Sequence, residues 1–98
     1  MSPAPAVTLW IPPPLRERCG GATELALAQA SAPSVRAALL ELQRLHPELH
    51  RGVCDETGAV RRHINLFVNG AHVRVRDGLD TLLVPGDVVM ILPAVSGG

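Results

Sequence analysis

Few groups in this chain could make or break a covalent bond. Cys19 and Cys54 are isolated thiols, and the histidines are His46, His50, His63 and His72. No CxxC pair or Cys/His zinc spacing surrounds either cysteine, so both read as ordinary reduced thiols, and a fold of this size requires no disulfide. His46 and His50 are close in sequence, but Pro47 between them argues against one regular helix presenting both to a metal. No nucleophile–base pair or ligand cluster stands out. The expectation is a protein without a metal or a bound cofactor, and not an enzyme in its own right. What remains is the carboxylate of Gly98, at the end of Pro93-Ala94-Val95-Ser96-Gly97-Gly98. A carboxylate is a poor acyl electrophile until a good leaving group is attached. Gly97 and Gly98 lack Cβ atoms, so this terminus could thread a channel that bulkier residues would block. Taken alone, a terminal Gly-Gly is equally a frayed end.

Composition narrows the setting. Formal net charge over the 98 residues is zero, which gives no reason to expect nucleic acid or an anionic membrane as partner. No apolar run approaches the roughly 20 residues of a membrane span. Met1-Ser2-Pro3-Ala4-Pro5 lacks the charged start and apolar stretch of a signal peptide, so the cytoplasm is expected. The length suits a single domain over 1–98, with 94–98 as a flexible tail. All nine basic residues are arginine and none is lysine. Codon bias in a GC-rich genome accounts for this, the alternative being avoidance of amines that could attack an activated C-terminus. On either account no side chain here can accept an isopeptide bond, so lysine-linked chains of this protein cannot form.

The elements that would carry the tail follow from periodicity. Ala6–Ile11 alternates with Val7, Leu9 and Ile11 on one face, a strand ended by Pro12-Pro13-Pro14. After a turn at Cys19-Gly20-Gly21, Thr23–Gln29 reads as its hairpin partner, with Leu25 and Leu27 inward. Ser34–Leu45 is a helix with Val35, Ala38, Leu39, Leu42 and Leu45 on one face; Ser31 or Ser34 caps it and Pro47 marks its stop. Gly52–Gly58 reads as a polar surface loop. Arg62–Val68 is a strand with Ile64, Leu66 and Val68 inward, followed by the hairpin signal Asn69-Gly70. Val73 and Val75 alternate with Arg74 and Arg76 as a short return strand, and Val88–Leu92 is the last strand. A mixed sheet packed on one main helix, with first and last strands paired centrally, satisfies this order. This is an α+β fold of the ubiquitin-like β-grasp kind.

Parity then defines an outer sheet face. Thr8 and Trp10, Asn65 and Phe67, and Val88, Met90 and Leu92 point away from the helix. Trp10, Phe67, Met90 and Leu92 would form an apolar partner-binding patch unless a loop such as 51–61 covers it. Arg62, Arg74 and Arg76 could meet an acidic partner rim or be simply solvated.

The final segment, Gly86-Asp87 followed by Val88–Leu92, Pro93-Ala94-Val95 and Gly97-Gly98, resembles the ending of the ThiS/MoaD sulfur carriers. Further matches are Ile11-Pro12, Leu15-Arg16, Gly20-Gly21, Asn65, Val68-Asn69, Val73-Arg74 and Gly78-Leu79, so the resemblance spans nearly the whole chain. It is greatest to carriers that serve cysteine synthesis. The resemblance implies that an ATP-dependent activating enzyme, an adenylyltransferase/sulfurtransferase, adenylates Gly98. A sulfur donor then displaces AMP to leave a thiocarboxylate. ATP would be used by that partner, and Pro93, Ala94, Val95, Ser96 and Gly97 would thread its active site. The acceptor would be a cysteine synthase or the large subunit of molybdopterin synthase. The alternatives are the small subunit of molybdopterin synthase and a ubiquitin-like protein modifier.

Overall fold

The computed structural model describes residues 5–94. Five strands form one mixed sheet: β1 (Ala6–Trp10), β2 (Glu24–Ala28), β3 (Ile64–Val68), β4 (Ala71–His72) and β5 (Val88–Pro93). Their spatial order is β2-β1-β5-β3-β4. β1 and β5 run parallel at the centre and the other neighbours are antiparallel. The expected pairing of first and last strands is therefore present, and the topology is that of a β-grasp.

Alternation in the sequence becomes burial. Val7, Leu9, Ile11, Leu66, Val68, Val89 and Ile91 are buried. They meet Val35, Ala38, Leu39 and Leu42 of helix α1 (Val35–Leu45) in one cluster. Ser34 caps α1, its Oγ accepting from the Ala37 N–H at 3.1 Å, which satisfies one of the amides left unbonded at a helix start. The core is aliphatic; both aromatic residues of the chain, Trp10 and Phe67, lie half-buried on the outer face.

Pro47 stops α1, as expected, and also opens a second helix, α2 (Pro47–Val53), at whose start proline's missing N–H costs nothing. Three expectations need correction. Gly52, Val53 and Cys54, expected in a polar loop, are buried: α2 packs so closely on the 3₁₀ segment Pro13–Cys19 that a Cβ on Gly52 would stand 2.8 Å from Leu15 Cδ2. Val73–Val75 is a 3₁₀ turn and not a strand, because the His72 ring accepts from the Arg74 N–H at 2.9 Å and turns the chain; Val75 is exposed. Leu45, placed on the buried face of α1, is 45% exposed. At about 100° per residue it stands roughly 80° round the helix from Val35, at the margin of the apolar stripe.

Candidate functional site

The site is built on β5. Register pairs β1 with β5 only as far as Met90, whereas β3 accompanies β5 to Pro93. The end of β5 is thus held on one side, and Pro93, lacking an N–H, closes the strand there. Ala94, expected in the free tail, still donates its N–H to the His63 carbonyl at 2.6 Å. Val95, Ser96, Gly97 and Gly98 lie outside the described residues.

The start of β5 is fixed by a clasp. Asn69, in the β3–β4 turn at φ 49°, accepts from the Val88 N–H at 2.9 Å and donates its Nδ2 to Asp87 Oδ1 at 2.8 Å. The second oxygen of Asp87 accepts from the Val84 N–H at 2.9 Å. In the sequence Asn69-Gly70 is a hairpin signal and Gly86-Asp87 the lead-in to the last strand; that one holds the other is not legible there. The available signal was that both polar side chains flank strands destined to be neighbours.

On the outer face, Trp10, Met90 and Phe67 stand opposite one another across β1, β5 and β3, with His72 next on β4. Leu92 is opposite Asn65 in the neighbouring row. The Arg16 guanidinium lies 5.3 Å from the Trp10 ring centroid while its Nε donates to the Ile11 carbonyl. The Phe67 and His72 rings meet edge to face at 5.1 Å, and His72 Nε2 is 3.1 Å from Asn65 Oδ1. The structure therefore gathers Trp10, Phe67, Met90 and Leu92 on one face. It adds Arg16 and His72, which parity alone could not place beside the aromatics.

The remaining reactive groups sit elsewhere. Burial, aided by the negative charge of Asp55, pushes the Cys54 thiol up to about 11, which keeps it protonated and weakly nucleophilic. Cys19 donates its thiol to the Arg16 carbonyl at 3.4 Å. His46 joins the two helices and His50 is buried on α2. Among the described residues no cluster of three or more His, Cys, Asp or Glu side chains could hold a metal ion.

The fold is that of a ubiquitin-like β-grasp protein whose C-terminal strand lies at the centre of the sheet. The ThiS family model matches residues 10–98, and the chain belongs to that family of small sulfur carriers. It is 35% identical over 94 residues to sulfur carrier protein CysO of Mycobacterium tuberculosis, covering 94% of this chain and 98% of that protein. The CysO of the Amycolatopsis orientalis BexX/CysO complex superposes with a TM-score of 0.79 at 33% identity, over 95% of this chain and 100% of that one. Small archaeal modifier protein 1 of Methanosarcina acetivorans gives a TM-score of 0.80 at 31% identity, over 99% and 100% of the two chains.

Proposed function

We propose that the chain carries sulfur as a thiocarboxylate on Gly98. The carboxylate attacks the α-phosphate of ATP on an activating enzyme, expelling pyrophosphate and giving an acyl adenylate. A sulfur donor then displaces AMP, so that one oxygen of the terminus is replaced by sulfur. The product is an anionic, polarisable nucleophile held on a protein instead of diffusing as sulfide. The observation that carries this reading is the one-sided end of β5, where pairing with β1 stops at Met90 and the last described bond to the sheet runs from Ala94 to His63. From Val95 to Gly98 an extended chain spans about 14 Å, enough to enter a partner's active site.

The partners in this reading are an ATP-dependent adenylyltransferase/sulfurtransferase and a sulfur-accepting biosynthetic enzyme. Its end product is cysteine or a related thiolated metabolite. Similarity to CysO across nearly the whole chain supports that choice, and a carrier of this kind fits the cytoplasm, where ATP-dependent activation runs. Trp10, Phe67, Met90 and Leu92 form the docking face, and residues 94–97 thread the partner's channel. A second reading, attachment of Gly98 to amines of other proteins, draws on the likeness to the small archaeal modifier protein.

Intact mass measurement after incubation with ATP, an activating enzyme and a sulfur source tests the proposal. The expected result is replacement of one oxygen by sulfur, lost when Gly98 is deleted. Persistence of the mass change in the deletion variant would sink the assignment. Recovery of isopeptide-linked targets in place of the thiocarboxylate would favour the modifier.

A further inference from the structure

The sheet is open beside β3. β4 pairs only with Phe67 and Val68, so among the described residues no strand runs along Ile64–Leu66 on that side. Val68 and Ala71 close a two-residue loop and face each other as a hydrogen-bonded pair. Alternation then turns the Leu66 peptide group and the Ile64 carbonyl toward the same open side, while the Ile64 N–H is already taken by the Arg61 carbonyl at 2.9 Å. The chain before β3 and the turn after β4 rise on either side of this edge, making a groove of about 490 Å³.

The rim of the groove is basic. Arg61, Arg62 and Arg74 line it and no carboxylate does. Arg61 is engaged, its Nε donating to the Arg51 carbonyl at 2.7 Å. Arg62 and Arg74 are exposed and make no ion pair among the described residues. One end of the groove adjoins the exit of the chain from the sheet, where Pro93 pairs with Ile64 and Ala94 bonds to His63.

We propose that this groove receives an extended acidic segment of a partner protein, which adds to β3 as a further strand and sets its carboxylates against Arg62 and Arg74. An open strand edge is a ready template for such addition: main-chain bonds supply affinity and the flanking side chains supply selection. Charge names the occupant, because a basic segment would meet repulsion from both arginines while an acidic one is steered in. A strand docked here lies beside the root of the tail, so a partner holding it fixes where the last residues begin. The inference is independent of what the tail carries.

The test uses the full ¹⁵N-labelled chain and an acetylated, amidated heptapeptide of alternating valine and glutamate. Two further probes are the valine–lysine analogue and the glutamate peptide N-methylated at alternate nitrogens, in either phase. The glutamate peptide is expected to shift the amides of Ile64–Leu66 and Arg74. Reversing both charges, Arg62→Glu with Arg74→Glu, should weaken it roughly tenfold while leaving the core amide spectrum unchanged. One methylation phase should abolish binding. The proposal is overturned by absence of shifts at about 1 mM peptide, by equal binding of the lysine analogue, or by survival of binding under both methylation phases. The first outcome would make the arginines guards against edge-to-edge pairing. Because the readout is peptide contact, failure of sulfur carriage would leave it untouched.

Discussion

His50 has little solvent contact on α2, and burial holds its pKa below the ordinary 6.5. The unfolded chain therefore binds more protons than the folded one between that lowered value and 6.5, and stability rises with pH across the interval. The contribution is complete above 6.5 and is lost as pH falls through the folded-state value. The melting temperature should accordingly drop as pH falls below 6.5, and His50→Gln should flatten that slope. Calorimetry at several pH values checks this; an identical slope in the variant would assign the dependence to another group. Asp55 and Glu41 act in a lower, separate window. Hydrogen bonds from Thr57 and from Arg44 hold their carboxyls below 3.8 and 4.5, so what they contribute disappears only as pH falls through those depressed values.

At the scale of elements, the Asn69–Asp87 clasp sets where β5 begins. Asn69→Ala removes both of its side-chain bonds, leaves the Val88 N–H without its acceptor and puts alanine at positive φ. The expected loss is about 2–4 kcal/mol in urea denaturation, and Asn69→Gly should lose about 1 kcal/mol less because only the bonds go. Equal losses would show that the turn conformation is not strained; negligible losses in both would dismiss the clasp. Such long-range pairing is what the sequence hides. Strands β1, β3 and β5 were legible because Val7/Leu9/Ile11, Ile64/Leu66/Val68 and Val89/Ile91 alternate and each faces a helix. α2 was not, because Pro47 serves equally to end one helix or to begin the next, and only Glu48 in the first turn pointed to a beginning. The Val73–Arg76 alternation imitates a strand, but β4 has no partner beyond His72 and the local His72–Arg74 bond wins. Short segments without a long partner follow local hydrogen bonds over pattern.

At the scale of the molecule, the helices occupy one side of the sheet and leave the other to Trp10, Met90, Phe67 and Leu92. Parity put these residues on a common face, and the register adds that the first three form one row across the central strands. The proposal that they dock the activating enzyme predicts a separation of binding from folding. None of the four belongs to the aliphatic core, so truncation forfeits only local contacts. For Trp10 that is the stacked Arg16, worth about 0.5–1 kcal/mol at an exposed site; for Phe67 it is the edge-to-face contact with His72, worth about 0.5–1.5 kcal/mol. Aromatic anchors at the centre of an interface commonly contribute about 2 kcal/mol or more to binding, which is upwards of tenfold in affinity. Trp10→Ala and Phe67→Ala should therefore each raise the KM of the activating enzyme for this protein about tenfold or more while shifting its melting temperature by a few degrees. Deleting Gly98 should abolish thiocarboxylate formation with no effect on melting, since the terminus lies beyond the last described contact of the sheet, from Ala94 to His63. Unchanged KM in both aromatic variants would move the docking surface off this face, and unfolding of both would show that these side chains hold the sheet together.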